Sequence, residues 1–335
     1  MQINYENKTD INLPMAIWLL NDRYDHVYTP NYISATGLLK PTQEIVLTNR
    51  NKSPASVMNV EIASLAKSQM GTAMHDAIES SWFNEKIRAK ACKLLGINDQ
   101  IRDSIRLNPT AADLEHAKAL GELITPVYME LRSIKEIMGY SIGGKFDLVM
   151  AGELHDYKST GTYTYVKQTN AEKYVQQGSI YKWLNPEIIT SMILTINYYF
   201  TDWVAYKTND IKYPQAQIMS QHFKLWTYDE TEKFIINKLT ELDRHKVNTS
   251  VALPFCTDKQ LWKDPSEYKY YKNPTAARST KNFGTDIAGA NALMAKNGVG
   301  IVKTIPSQAR ACKFCDALPH CDQAANLLTN GLLVL

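Results

Sequence analysis

Apolar residues recur at three- and four-residue steps over residues 60–95, where Ile62, Leu65, Met70, Ala73, Ala77, Ile78 and Trp82 share one stripe. That spacing predicts helix, and helical character resumes over 111–123. Between 127 and 158 the period drops to two. The chain there is rich in Ile, Val, Tyr and Phe and is punctuated by Gly139, Gly143, Gly144 and Gly152, which predicts antiparallel strands. A helix is expected over 170–183, ended by Asn185-Pro186, because the residue before a proline avoids the helical region. Residues 189–206 read as one long or broken strand. Thr227, with Glu230 three residues on, forms a capping box that opens a helix to about His245. A last helix is expected over 287–296, stopped by Gly298. The first sixty residues hold short apolar runs cut by Leu13-Pro14, Thr29-Pro30 and Lys40-Pro41, hence short helices and connections.

This order of helices, mixed sheet, helix, strand and C-terminal appendage places the chain in the α/β class. The expectation is a single domain over 1–335. Within it, 1–125 is mainly helical, 126–215 carries a sheet and a helix, and 216–335 holds a C-terminal helix and a cysteine-rich region.

The 335 residues carry a net charge of only +3, so any affinity for nucleic acid must come from local basic patches. The apolar runs, such as residues 15–20, fall far short of the roughly 18 residues a membrane span needs. That run leads directly into Asn21-Asp22-Arg23 without a small-residue cleavage site, so no signal peptide, no membrane association and a cytoplasmic location are expected. Five cysteines occur, three of them bunched in CKFCDALPHC. An odd count without a secretory signal favours an intracellular metal-binding cluster over a disulfide framework.

The chemistry concentrates in GGKFDLVMAGELHDYKSTG, residues 143–161. Two antiparallel strands joined by a tight turn bring Asp147 and Asp156 onto neighbouring chains, within reach of a shared cation. Hard divalent cations such as Mg²⁺ take such oxygen ligands. Lys158, two residues after Asp156, points to the same face, where an ammonium can orient water or offset charge growing on a phosphate. In GTAMHDAIE, residues 71–79, His75 and Glu79 stand four apart on one helical face, one turn after Gly71. On the helix expected over 170–183, Gln177 and Tyr181 are again four apart, with Lys173 one turn earlier. Each motif alone is weak and compatible with an ordinary salt-bridged hairpin or amphipathic helix.

Together, in this order, the four blocks resemble the RecB-type branch of the PD-(D/E)xK nucleases: Gly71/His75/Glu79, Gly144/Asp147, Asp156/Lys158 and Gln177/Tyr181. The resemblance implies a restriction-endonuclease-like αβββαβ core, a mixed sheet flanked by helices, with metal-dependent cleavage of DNA phosphodiesters. It also implies Asp147 and Asp156 as ligands of Mg²⁺ or Mn²⁺, with His75 and the Tyr157 carbonyl filling further positions. Lys158 would act on the attacking water, while Glu79, Gln177 and Tyr181 position water, lysine or DNA. One departure is Asp156, where Glu is more usual in this branch.

CKFCDALPHC is Cys-x2-Cys-x5-Cys: Cys312, Cys315 and Cys321 need a fourth ligand. Cys256 is the first choice, with Cys92 or, for zinc, His320 as alternatives. Four thiolates hold either Zn²⁺ or an iron–sulfur cluster, and spacing does not separate the two. RecB-like nucleases with such terminal cysteines carry a [4Fe-4S] cluster, but there the distant cysteine precedes the helical histidine, and here none precedes His75. LPFC, residues 253–256, with the following Leu261-Trp262, and YISATGLLKPTQEIVL look more like phage and prophage RecB-like exonucleases. That likeness favours a cluster on Cys256, Cys312, Cys315 and Cys321, making the C-terminal extension a cysteine-stapled one.

Residues 262–283 interleave Trp262, Tyr268, Tyr270, Tyr271 and Phe283 with Lys263, Lys269, Lys272, Arg278 and Lys281. Cations that track phosphates beside rings that stack on bases suit single-stranded or frayed DNA, so Lys269, Lys272, Arg278, Lys281 and Lys173 are candidate DNA contacts. A solvated surface loop with a few buried aromatics fits equally well. The resemblance as a whole implies an exonuclease acting on linear DNA ends in phage or prophage recombination, in a bacterial host cytoplasm, beside a single-strand annealing protein. A CRISPR-adaptation nuclease and a non-catalytic DNA-binding subunit are the alternatives.

Overall fold

The computed structural model describes residues 2–22, 27, 29–51, 57–247 and 252–335, which form a mixed α/β architecture of twelve α-helices and fourteen strands among the described residues. The chain divides into two compact units, Met1–Leu39 with Pro54–Thr240, and Lys40–Ser53 with Glu241–Leu335.

The chain opens with β1 (Gln2–Glu6), α1 (Leu13–Leu19), β2 (Tyr32–Ser34) and α2 (Ala35–Leu38), then α3 (Thr42–Arg50), which belongs to the second unit. Back in the first unit, β3 (Val57–Glu61) pairs in parallel with β1, and α4 (Ala66–Phe83), α5 (Glu85–Leu94) and α6 (Asp99–Ser104) follow. The helical stripe expected over 60–95 is therefore trimmed at its start, where the chain is still strand to Glu61. It is also broken at Asn84, whose extended backbone ends α4 and whose side chain accepts the Ile87 N–H to cap α5. A side-chain acceptor at that position competes with helix continuation and begins a new helix instead.

Next come β4 (Ile105–Leu107), α7 (Ala111–Leu120), β5 (Thr125–Met129), β6 (Arg132–Ile137), β7 (Tyr140–Lys145), β8 (Leu148–Met150) and β9 (Glu153–Thr160). The period-two stretch forms antiparallel strands as expected, but in two sheets. β7 sits between β2 and β6, whereas β8 belongs to a six-stranded sheet of order β11-β10-β9-β8-β5-β4. The switch happens at Phe146-Asp147: Phe146 is fully buried, its N–H donates to Leu131 O, and Asp147 O accepts the Glu130 N–H. Asp147 thus lies between two strands and not inside one.

After β9, α8 (Thr162–Lys167) and α9 (Ala171–Leu184) cross over to β10 (Ile193–Phe200), which runs parallel to β9, and β11 (Ile218–Lys224) closes the edge antiparallel to β10. Two adjacent parallel strands require such a crossover. The strand expected over 189–206 is cut to β10, because the chain turns at Thr201-Asp202. Helix α9 packs closely on β10: a Cβ at Gly178 would meet Leu194 Cδ2 at 3.0 Å. Ile180 and Trp183 of α9 and Leu194, Ile196, Tyr198 and Phe200 of β10 lie in the core.

Helix α10 (Tyr228–Val247) opens on the Thr227/Glu230 box, with Thr227 N–H to Glu230 Oε2 at 2.8 Å and Glu230 N–H to Thr227 Oγ1 at 3.2 Å. In the second unit, β12 (Glu267–Tyr271) is flanked by β13 (Lys281–Asn282) and, after α11 (Ile287–Asn297), by β14 (Ile301–Ile305). Helix α12 (Asp322–Thr329) completes it, over an apolar cluster of Leu261, Ala309, Cys312, Ala324 and Leu333. Among the described residues no helix is long and apolar enough to cross a membrane.

Candidate active site

Three acid or imidazole donors from three elements converge in the first unit. His75 projects from α4, Glu130 stands directly after β5, and Asp147 sits in the β7–β8 link; one ligand atom of each lies within 4.8 Å of the others. His75 Nδ1 is 3.5 Å from Asp147 Oδ1 and 3.7 Å from Glu130 Oε1. Glu130 has a left-handed backbone (φ +51°), uncommon for a residue with a Cβ. That kink ends β5, and its carboxylate also pairs with Lys145 Nζ at 2.5 Å.

The register Leu148 to His155 sets Asp147 across from Asp156 on β9. Asp147 Oδ2 accepts the Tyr157 N–H at 2.8 Å, and the Tyr157 ring meets His75 edge-on at 5.9 Å. Lys158 Nζ stands 2.6 Å from Asp156 Oδ2 and 5.8 Å from the centre of the Tyr174 ring. Period-two alternation gives Asp156 and Lys158 the same face of β9.

A cleft of about 470 Å³ opens onto this group, lined among others by Tyr32, Gly71, His75, Glu79, Glu130, Arg132, Gly144, Lys145, Asp147 and Tyr181. Helix α9 contributes Tyr181, whose hydroxyl receives a 2.7 Å hydrogen bond from Gln177. A Cβ on Gly144 would come within 2.6 Å of the Tyr181 ring, so only glycine lets the ring and β7 approach this closely. Asp156, Lys158, Gln177 and Tyr157 are not among the residues that line the cleft. Lys173 is exposed and lies outside the cleft wall.

Burial, and then the charge of Asp156, push the Asp147 carboxyl up to about 7, against the pull of His75, Lys158 and the Tyr157 N–H. Burial lowers the affinity of His75 for its proton, but the Glu130 hydrogen bond and the charges of Asp147, Glu130 and Asp156 outweigh it and raise its pKa. The same balance of desolvation against Asp156 and Asp147 raises Lys158, which stays an ammonium. Burial opposes ionisation of Glu130 too, yet His75 and Lys145 hold its carboxyl below the ordinary value. Two carboxylates and an imidazole that strain to share limited positive charge form an oxygen-rich set suited to a hard divalent cation.

Glu130, Lys145 and Arg132 escape the sequence motifs. Glu130 follows the apolar VYM of β5 with no periodic partner, and Lys145 lies two before Asp147. A charged residue at the end of a buried strand is the one local signal that marks them.

In the second unit, Cys312 belongs to the apolar cluster around Leu261, and Cys256 and Cys321 pack against it. Burial first, and then the neighbouring thiols Cys321, Cys315 and Cys312, push Cys256 up to about 12. Burial pushes Cys315 up to about 11 and raises Cys312 as well. Among the described residues no three cysteine sulfurs lie within 4.8 Å of one another. Gln323 brackets Cys256, accepting its N–H at 2.8 Å and donating to its carbonyl at 2.9 Å, and Cys321 Sγ accepts the Ala324 N–H at the start of α12. Cys92 belongs to the first unit, buried on α5, and His320 is exposed.

The aromatic–basic stretch divides. Tyr270 and Tyr271 are buried on β12, and Tyr270 donates to Val299 O at 2.8 Å, so these two rings are core and cannot stack on bases. The Tyr270 hydroxyl also accepts from Asn297 at the end of α11, at 3.1 Å, a pairing invisible in the linear pattern. Lys269 pairs with Glu267 at 3.3 Å, while Lys272, Arg278 and Lys281 are exposed and Trp262 is 54% exposed.

No family model matches the chain, and no curated protein matches it. Among solved structures, it is similar to the crystal structure of SSO0001, at 15% identity and TM-score 0.39 over 71% of this chain and 88% of that one. It is also similar to a phage related exonuclease from Haemophilus somnus 129PT, at 12% identity and TM-score 0.27 over 64% of this chain and 92% of that one. Likenesses this loose do not define the fold.

Proposed function

We propose that the chain is a divalent-metal-dependent deoxyribonuclease of the RecB-like type, acting on linear DNA. The observation that carries this reading is the convergence of His75, Glu130 and Asp147 beside the Asp156–Lys158 pair. The order α4, β5, β7/β8, β9, α9, β10 supports the αβββαβ core that goes with it. The residues fit Mg²⁺ or Mn²⁺. The acid and imidazole donors suit a hard ion, and a carboxyl driven up to about 7 by its own neighbourhood lacks the positive charge such an ion brings. When bound, the ion supplies Lewis acidity toward water and a phosphoryl oxygen.

The chain's own residues supply the rest. Asp147, fixed by the Tyr157 N–H and flanked by His75 and Glu130, presents its oxygens to the cleft. Asp156 anchors the Lys158 ammonium, whose positive charge the Asp156 and Asp147 carboxylates preserve against burial, and which can offset charge growing on phosphate. Tyr181, steadied by Gln177, lines the space a phosphate would occupy together with Arg132 and Lys145. Glu79 lies one turn beyond His75 on the same wall and can orient water.

For the cysteines, the proposed ligand set is Cys256, Cys312, Cys315 and Cys321, which would hold a [4Fe-4S] cluster, with Zn²⁺ as the alternative that thiolate ligands also serve. Lys272, Arg278 and Lys281 are the exposed cations proposed to track DNA.

The test is digestion of end-labelled linear, circular and single-stranded DNA with Mg²⁺ or Mn²⁺. Wild type is expected to degrade linear DNA, and Lys158→Ala and Asp147→Ala to be inert. Activity in both variants equal to that of wild type would overturn the assignment.

A further inference from the structure

Glu130 faces two ways. Its Oε1 stands 3.7 Å from His75 Nδ1, inside the donor group that also holds Asp147, and its Oε2 pairs with Lys145 Nζ at 2.5 Å. Glu130, Arg132 and Lys145 all line the same cleft. The main chain fixes the carboxylate at this point: Glu130 takes the left-handed backbone that ends β5, and its N–H donates to the Asp147 carbonyl at 3.1 Å.

Lys145 has a like-charged neighbour. In the antiparallel pairing of β6 with β7, Arg132 lies directly opposite Lys145. Residues so paired carry their side chains on one face, where two charges of one sign disfavour each other. Arg132 donates to the Tyr32 hydroxyl, a neutral acceptor, at 3.3 Å, while Lys145 is set against the negative charge of Glu130. One carboxylate does not give its full charge to two neighbours. A dication drawn to His75, Glu130 and Asp147 attracts that carboxylate more strongly than a single ammonium does, because the attraction grows with the product of the charges.

We propose that Glu130 couples metal binding to DNA binding: in the metal-free protein it holds Lys145 in an ion pair, and when a divalent ion engages His75, Glu130 and Asp147 it releases Lys145, which together with Arg132 then binds a phosphate of the DNA backbone. A guanidinium opposite an ammonium suits an anion with several oxygens, the guanidinium through two parallel hydrogen bonds. The inference rests on the nuclease reading and adds an order to it, metal before DNA. Lys145 is the substrate-binding residue in this scheme and Glu130 the positioning one.

The test is a pair of double-mutant cycles on the full chain with Glu130→Gln and Lys145→Met, each of which keeps side-chain length and removes a charge. Mn²⁺ affinity is read by titration calorimetry without DNA. Affinity for a fluorescein-labelled linear duplex is read by anisotropy in EDTA, where no metal is available for cutting. Lys145→Met is expected to tighten Mn²⁺ binding about tenfold on its own, and less than about twofold beside Glu130→Gln. In EDTA, Glu130→Gln is expected to tighten DNA binding about tenfold on its own, and not at all beside Lys145→Met. Lys145→Arg, which keeps the charge, should hold DNA affinity within about threefold of wild type.

Equal tightening of Mn²⁺ in both backgrounds would mean that Lys145 acts by simple repulsion of the ion. An equal gain in DNA affinity with and without Lys145→Met would mean that Glu130 merely repels DNA. Either result overturns the coupling. A wild type that neither binds Mn²⁺ nor cuts linear DNA would sink the nuclease reading and this inference with it, whereas additive cycles in a chain that does both would sink the inference alone. Circular dichroism checks that each variant folds, and Lys145→Gln replaces Lys145→Met in both cycles should the latter unfold.

Discussion

Replacing Asp147 by asparagine tests the electrostatic account of the site directly. The wild-type carboxyl is lifted from its ordinary 3.8 to about 7 by burial and by Asp156. A group whose folded pKa is raised contributes stability that is fully present below its unfolded value and is lost as pH rises through the folded value. The metal-free protein should therefore lose stability between about pH 4 and pH 7, and the raised pKa of His75 acts in the same direction above pH 6.5. A lift from 3.8 to about 7 corresponds to about 4 kcal/mol at most. Coupling with Asp156 and relaxation of the cleft reduce the expected effect to about 2 kcal/mol.

Asparagine keeps an acceptor for the Tyr157 N–H but carries no charge. Without divalent metal at about pH 7.5, Asp147→Asn should melt higher than wild type by about 4 °C, at roughly 2 °C per kcal/mol for a chain this long. The difference should vanish near pH 4, about the ordinary value of the carboxyl. Adding Mn²⁺ should raise the wild-type midpoint but leave the variant unmoved, and the variant should not cut DNA. Thermal melts across about pH 4–8, with and without Mn²⁺, read all of this. A wild-type midpoint flat over that range, or a variant that melts lower than wild type above about pH 7, would refute the reasoning.

Gly144→Ala places a methyl against the Tyr181 ring at 2.6 Å, so it should cost about 1–3 kcal/mol by overpacking and depress DNA cleavage, read by melts and digestion. Glu130→Gln removes a donor that faces His75 and should weaken Mn²⁺ affinity on the order of tenfold while sparing the fold; an unchanged titration would remove Glu130 from the site. Cys256→Ser should strip colour, iron and sulfide from protein purified without oxygen, whereas a colourless, zinc-loaded wild type would exclude the cluster. Lys272→Ala/Arg278→Ala/Lys281→Ala should weaken DNA binding across sequences and lower the salt slope by about 1 for each phosphate the variant no longer neutralises.

Much of the site was legible in the linear chain because its spacing is short-range. His75 and Glu79 share a helical face, Asp156 and Lys158 share a strand face, and Thr227 with Glu230 caps α10, all from local geometry. Local pattern also misled: apolar periodicity ran past Glu61 and through Asn84, since a stripe does not register the backbone turn a capping side chain makes. The rings of Tyr270 and Tyr271 read as a stacking surface because their burial depends on pairing with the distant strand Ile301–Ile305.

What the sequence by itself determined is the class of elements, the α/β order and the residue types able to hold a metal. Tertiary structure alone decided that the strand carrying Gly144 leaves its sheet at Phe146-Asp147, which sets Asp147 against Asp156 and lifts the buried Asp147 carboxyl. It also decided that Glu130, far along the chain from His75, completes the cluster, and that α4 and α5 part to leave a cavity behind it. Those outcomes depend on burial and on contacts between distant segments, and no periodicity encodes either.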